Sequence, residues 1–394
     1  MFDKNLKSTV LYHSIIQQLY YGQSLSCAEL SLRIEKSIPI VTKALNELIL
    51  SDYVIELGYA VSSGGRRPQM YAVKSDRLYI VKVAMDQLST RIGVTDLLNN
   101  FVLPVEMIEL KLQNNLDALS TLVDLINEHI AKTGISKDII IGIGIGMPGF
   151  INAKEGINYS YLDAGEMTLA AYLSDKTGLP TYIDNDSSLV ALAELKFGIA
   201  KKLKNVMVIN FSWGIGLGMI IEGKLFRGHT GFAGEFSHIP MSEGGALCAC
   251  GKQGCLEAEA SLLAVSEKAV SGIRNGRISS LKIADDDDHY ALVGDSLMEA
   301  ANKGDQYSIE LISEAAYMIG RGLSILIHIT NPEIIAISGR GAKVGKLLLA
   351  PIQNALNKYC ISRLASGTEI VISDLGYDAE LIGAGILVME NLNK

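Results

Sequence analysis

Gly234-Glu235-Phe236-Ser237-His238, followed after a glycine-bearing turn by Cys248-Ala249-Cys250-Gly251-Lys252-Gln253-Gly254-Cys255-Leu256-Glu257, is the stretch from which the rest of the chain can be read. It holds three of the five cysteines, with His238 just upstream. Three soft thiolates and one imidazole make the Cys3His donor set that tetrahedral zinc prefers. Gly244, Gly245, Gly251 and Gly254 interleave the ligands and let the backbone turn tightly enough to aim several sulfurs at one point. Four protein ligands leave no open position for a metal-bound water, so the expected zinc is structural. Glu235 and Glu257 flank the ligands. Either carboxylate alone would read as solvated surface, but a rigid metal loop can fix both toward one cleft, where a polyhydroxylated ligand needs fixed acceptors.

The composition fits a globular chain of more than one unit. Its 394 residues exceed one ordinary domain, and 48% hydrophobic content supplies ample core. The richest apolar run, 138–152, is too short to span a bilayer and is broken by Gly142, Gly144, Gly146 and Pro148. No basic segment followed by an apolar one opens the chain, and the cysteines have metal-ligand rather than disulfide spacing. Both point to a reducing cytoplasm. The net charge of −8 is uneven: residues 1–80 carry +2 and the remainder −10. An acidic body repels nonspecific nucleic acid, while a mildly basic N-terminal unit can approach phosphates.

Taken in order, residues 10–20 show helical apolar spacing, and Ser26-Cys27-Ala28-Glu29 fits a capping box opening a second helix. A third begins near Ser37, which can cap it, with Pro39 in the first turn, and runs to about Leu50. Strands over 53–58 and 69–73 around Gly64-Gly65-Arg66-Arg67-Pro68 complete a winged helix-turn-helix. Its third helix would offer Thr42, Lys43 and Asn46 to a major groove, and Arg66 and Arg67 would meet phosphates or a minor groove. From Leu78 onward, strands at 78–84, 91–95, 102–110 and 139–146 alternate with a helix at 116–133, which implies an α/β body. Strands at 204–211 and 216–221 open a second lobe, a later strand covers 333–338, and a helix at 381–392 closes the body. The acidic run Asp285–Asp288 lacks the alternating ligands and turning glycine of a calcium loop.

A second motif, Tyr182-Ile183-Asp184-Asn185-Asp186, ends a strand before a helix over 187–197. An Asn-Asp pair at such a position can bond vicinal hydroxyls, and the Asp can serve as general base. The bland alternative is a helix N-cap, which explains one of these residues but not three in a row.

On these motifs the chain resembles the ROK family (repressors, open reading frames and sugar kinases), in its transcriptional-regulator branch. The matches are the wing Gly64–Pro68, the turn Met147-Pro148-Gly149, the pair Asn185-Asp186, Gly234-Glu235 with His238, the knuckle Cys248–Glu257 and the turn Ile337–Gly341. The resemblance implies an actin-like, hexokinase-like (ribonuclease H-like) body of two lobes closing on a sugar. The expected division is a winged head over 1–75 and a body over 76–394. Lobe one would take 76–187 with the C-terminal helix 381–394, and lobe two 188–380 with the knuckle. By analogy Gly149, Asn185, Asp186, Glu235, His238 and Glu257 contact the sugar, while His238, Cys248, Cys250 and Cys255 hold the zinc. Asp186 would be the base of any kinase reaction. Kinase members carry DxGGT where this chain has Asp86-Gln87-Leu88-Ser89-Thr90. Both glycines that cradle phosphate are gone, and the second phosphate loop carries Trp213, the only tryptophan.

The expected protein is therefore a cytoplasmic, sugar-responsive repressor, not an enzyme, binding operator DNA as a homodimer or tetramer. The rival is an ATP-dependent sugar kinase with a regulatory head. A third reading makes the sugar site vestigial and the effector a protein partner.

Overall fold

The computed structural model describes residues 9–61, 67–283 and 290–393. Gly64, Gly65, Arg66 and the acidic run Asp285–Asp288 lie outside the described residues. The chain opens with α1 (Thr9–Gly22), β1 (Leu25–Ser26), α2 (Cys27–Arg33), α3 (Ile38–Leu50), β2 (Val54–Tyr59) and β3 (Gln69–Val73). The α2 helix begins on the expected capping box: the Ser26 hydroxyl accepts from the Glu29 amide, and the Glu29 carboxylate accepts from the Ser26 amide at 2.8 Å. Ser37 differs from expectation, because its hydroxyl makes no cap bond. A cap side chain bonds the second or third helical amide, and Pro39 removes one of these. The Ser37 carbonyl instead accepts from the amides of Ile40 and Val41. Strand β3 pairs antiparallel with both β1 and β2.

The first half of the body comprises β4 (Tyr79–Met85), β5 (Ser89–Asp96), β6 (Glu106–Glu109), α4 (Ala118–Thr133), β7 (Ile140–Met147), β8 (Ile151–Asn152), β9 (Ile157–Asn158), α5 (Leu169–Thr177), β10 (Thr181–Asn185) and α6 (Asp186–Lys196). The second comprises β11 (Val206–Phe211), β12 (Ile215–Ile221), β13 (Lys224–Phe226), α7 (Leu256–Ala260), α8 (Leu262–Arg274), α9 (Tyr290–Asn302), α10 (Gln306–Thr330), β14 (Ile334–Ser338), α11 (Leu349–Tyr359), α12 (Ser362–Ala365), β15 (Glu369–Ile372) and α13 (Ala379–Glu390). Each half builds a five-stranded sheet, ordered β10-β7-β4-β5-β6 and β13-β12-β11-β14-β15. In both, a three-strand antiparallel meander is extended by two strands parallel to its first member. The two lobes therefore repeat one topology. The strand expected over 102–110 shrinks to β6, because Pro104 has no amide to give a ladder and Phe101 makes only an isolated bridge to Thr95.

Strand β7, IIGIGIGM, is buried along its whole length. Its isoleucines Ile143 and Ile145 share a core with Leu122 and Ile126 of α4, while its glycines let α13 approach on the other face. A Cβ on Gly144 would lie 2.0 Å from the carbonyl oxygen of Ala384 in α13. Gly144→Ala is therefore expected to force the helix off the sheet at a cost of about 2–3 kcal/mol, read as a lower urea midpoint with unchanged slope.

The N-terminal unit is not packed as a separate body. Ile15, Ile16, Leu19 and Tyr20 of α1 lie in the same apolar core as Ala384, Ile386 and Val388 of α13 and Leu189–Ala193 of α6. The Gln17 amide donates to the Met389 carbonyl at 2.7 Å. Among the described residues no helix is long and apolar enough to cross a membrane.

Candidate functional site

The parallel strands of both sheets end at one cleft, where Asp86 follows β4, Gly149 follows β7, Asn185 ends β10 and Trp213 follows β11. This is the crevice beyond the carboxyl ends of strands where open α/β sheets take ligands. The cavity has a volume of about 300 Å³. That lies at the small end of ligand pockets, about 300–1,000 Å³, and suits a single small molecule.

Lobe one contributes the pair at the head of α6. Asn185 is a true N-cap: its Oδ1 accepts from the amides of Ser187 and Ser188 at 3.0 and 3.2 Å, while its side-chain amide points to the Gly149 carbonyl at 3.4 Å. Asp186 accepts from the Ser187 amide at 2.6 Å and from the Asn210 side-chain amide at 3.3 Å. Burial, reinforced by the charges of Glu257 and Asp86, pushes its carboxyl up to about 6 against the pull of the Ser187 bonds. Gly149 sits at φ +102°, and a Cβ there would lie 2.6 Å from Ser160 Cβ, so only glycine lets the turn line the cavity. Asp184 faces away and holds Arg227 of lobe two in a bidentate pair, one arm at 2.8 Å.

Lobe two contributes the metal loop. The ligand atoms of His238, Cys248, Cys250 and Cys255 all lie within 4.8 Å of one another. His238 turns Nδ1 toward Cys248 Sγ at 3.6 Å and Nε2 toward Glu235 at 3.7 Å, so one edge faces the sulfurs and the other the cleft. Burial, with its crowded neighbours, pushes the Cys255 thiol up to about 12. Burial also raises the Cys248 thiol, whereas the Lys252 amide lowers that of Cys250; thiolate ligands bind a metal as they shed protons. The donor set and its spacing fit a metal ion. Cys255 immediately precedes α7, which carries Glu257 into the cavity, and Glu257 accepts from the Ile215 amide at 3.4 Å. Burial raises the pKa of both Glu257 and Glu235.

Beside Asp186 the lining continues through Asp86, Gln87 and Trp213. Asp86 folds onto its own turn, accepting from the amides of Leu88 and Ser89 at 2.8 and 2.7 Å. Leu88 packs against the core of lobe two. Arg340, buried at 3% exposure, lies 4.8 Å from the Trp213 ring and 4.4 Å from the Tyr377 ring. It pairs with Asp295 at 2.6 Å and Asp86 at 3.7 Å. Arg91 stacks on Tyr377 at 3.5 Å and meets Glu380 at 3.4 Å. Burial, with the charges of Asp186 and Asp86, raises Glu380 to about 8. Sequence reasoning did not anticipate Arg227 or the positions of Arg91 and Arg340, since each pair joins distant segments with no local pattern.

On the N-terminal unit, Thr42, Lys43 and Asn46 are exposed together on α3, and Arg67 is exposed beyond β2. Thr42 Oγ1 lies 3.2 Å from Cys27 Sγ.

A profile of the ROK family matches residues 104–391. The chain belongs to the ROK family. Among its ROK relatives, a glucokinase from Halalkalibacterium halodurans is 35% identical over 70% of this chain and 84% of its own length. A xylose repressor from Caldicellulosiruptor bescii is 30% identical over 96% of this chain and 95% of its own. The crystal structure of a ROK family transcriptional regulator, a homologue of the Escherichia coli MLC protein, superposes with a TM-score of 0.75, covering 97% of each chain at 24% identity. The ROK fold, an actin-like and hexokinase-like pair of α/β lobes, is thereby established for this chain.

Proposed function

We propose that the protein is a sugar-responsive transcriptional repressor. The observation that carries this reading is the joining of the cleft to the N-terminal unit in one chain, matched end to end by a xylose repressor, whereas the glucokinase leaves about a third of the chain uncovered. We read α1–α3 and β1–β3 as a winged helix-turn-helix in which α3 enters a major groove and the β2–β3 turn meets the backbone. A monosaccharide would bond Asn185, Asp186, Glu235, His238 and Glu257, with Gly149 close to its ring. Zinc, held by His238, Cys248, Cys250 and Cys255, would fix the loop that places two of those groups. Two copies, as a homodimer or within a tetramer, would present paired heads to a two-fold operator in the cytoplasm.

Sugar can act only by binding the DNA-competent and DNA-incompetent states with different affinity, and operator must then alter sugar affinity by the same factor. The experiment is anisotropy of a labelled duplex, selected by the full chain from a random pool, with and without xylose, glucose or N-acetylglucosamine. A shift of the binding curve by one of these sugars supports the reading, and tight duplex binding that no sugar moves sinks it. Arg67→Ala is expected to weaken binding to every sequence and to lower the salt slope by about 0.9, the value of one lost phosphate contact. An unchanged slope would take Arg67 off the backbone.

The kinase reading rests on Asp186, whose raised carboxyl suits a general base. Against it, the Asp86 turn is satisfied internally and Arg340 occupies the space beside it. Coupled ADP release with the three sugars separates the readings: turnover abolished in Asp186→Asn would establish a kinase.

A further inference from the structure

Helix α6 reaches from the cleft to the N-terminal unit. Its cap, Asn185, and first residue, Asp186, line the cavity, and the residue that ends it, Phe197, lies against α1. The Phe197 ring meets Tyr20 edge-on at 5.6 Å and 89° and Tyr21 at 6.3 Å. Lys196 adds its ammonium over the Tyr21 ring at 4.8 Å.

The helix has no room to bend between these ends. Leu189, Val190, Ala191, Leu192 and Ala193 are all buried. On one side α13 touches its backbone so closely that a Cβ on Gly383 would lie 2.2 Å from the Leu189 carbonyl oxygen. On the other, a Cβ on Gly218 of β12 would lie 2.3 Å from Ala191 Cβ. Close-packed interiors of this kind transmit displacement rather than absorb it.

Tyr20 also measures the position of α6 against lobe one. It is 1% exposed, and its hydroxyl donates to Asn99 Oδ1 at 2.8 Å, the same oxygen that accepts from Lys82 Nζ at 2.7 Å. A movement of α6 relative to the first sheet therefore changes the seat of Tyr20, and with it the set of α1.

We propose that α6 is the rod that carries sugar occupancy to the DNA-binding head, with Phe197 delivering the movement to Tyr20 and Tyr21. The proposal rests on the repressor reading above and names the route of its regulation. Phe197 touches neither the candidate sugar site nor the exposed face of α3, so its removal uncouples two binding events without abolishing either. Coupling in such systems is typically about 5–150-fold.

The test measures, in full-length wild type and Phe197→Ala, affinity for the selected duplex and for whichever of xylose, glucose and N-acetylglucosamine gives heat with the wild type. The melting temperature of each variant is recorded alongside. The expected result is that each ligand alone binds Phe197→Ala within about threefold of wild type, while the factor by which sugar changes duplex affinity falls to about one. Phe197→Tyr, which keeps the ring, is expected to retain the coupling. If Phe197→Ala does not fold, Phe197→Leu gives the same reading, because it keeps bulk but loses the edge-on ring contacts. A variant that binds both ligands and keeps the wild-type coupling factor overturns the rod. A wild type without any sugar effect on duplex binding instead sinks the repressor reading, so the two failures are distinguishable.

Discussion

Replacing Cys255 by serine is expected to strip the metal from the chain and to lower monosaccharide affinity at least ~100-fold. The two losses are linked through one backbone. Cys255 immediately precedes α7, and its Sγ lies 3.6 Å from both Cys250 Sγ and the His238 carbonyl oxygen. The same short segment sets Glu257 two residues later and holds the turn that carries Glu235 and His238. A serine hydroxyl is a poor ligand for a thiolate-type site, so the fourth corner opens and the loop loses the constraint that aims these groups. Hydrogen bonds to a charged group contribute about 1.5–3 kcal/mol each, so misplacing two carboxylates accounts for two or more decades. Metal content by plasma emission and calorimetry with xylose, glucose and N-acetylglucosamine check both halves. Metal lost with sugar affinity kept would show that the knuckle is structural elsewhere and does not lay out the site.

Asp186→Asn is expected to lower affinity for the same sugar by about 10–100-fold and to flatten its pH dependence. In the folded chain the Asp186 carboxyl is raised from 3.8 to about 6, chiefly by burial. A sugar hydroxyl donates to the ionised form, so wild-type affinity rises as pH climbs from 5 to 7 and then levels. Asparagine keeps the shape and the cap neighbourhood but not the charge, and its profile stays flat across that window. Stability moves oppositely. Between 3.8 and about 6 the folded state holds a proton that the unfolded chain has released, so the stability contributed by this group falls as pH rises through that range. Melting temperatures of the variant lack that slope.

Much of this is legible in the sequence where the chemistry is local. The capping box at Ser26, the buried run of β7 and the Cys3His cluster each declare themselves within a stretch of 18 residues or fewer, and each appears in the structure. Asn185 was legible in two ways at once: it caps α6 through its oxygen and offers its amide toward Gly149. What stayed hidden was long-range. The repeated topology of the two sheets is not announced by a repeated glycine pattern, because the Gly-Ile alternation of β7 is answered in its counterpart β14 by Ile-Ile-Ala-Ile-Ser. Arg340 and Asp86 stand 254 positions apart, and Phe197 and Tyr20 stand 177 apart. Leu311, Ala315, Ile319 and Leu323 of α10 keep helical spacing, but such spacing marks a helix without saying which part of the fold it packs on.

The central claim is that a sugar in the cleft and DNA on the head are felt by each other through the folded chain. Calorimetric titration of sugar into the full-length protein, alone and then saturated with its selected duplex, tests this most directly. The account predicts that duplex changes sugar affinity by the same factor by which that sugar changes duplex affinity, and that this factor differs from one. Identical sugar affinities with and without duplex would contradict it.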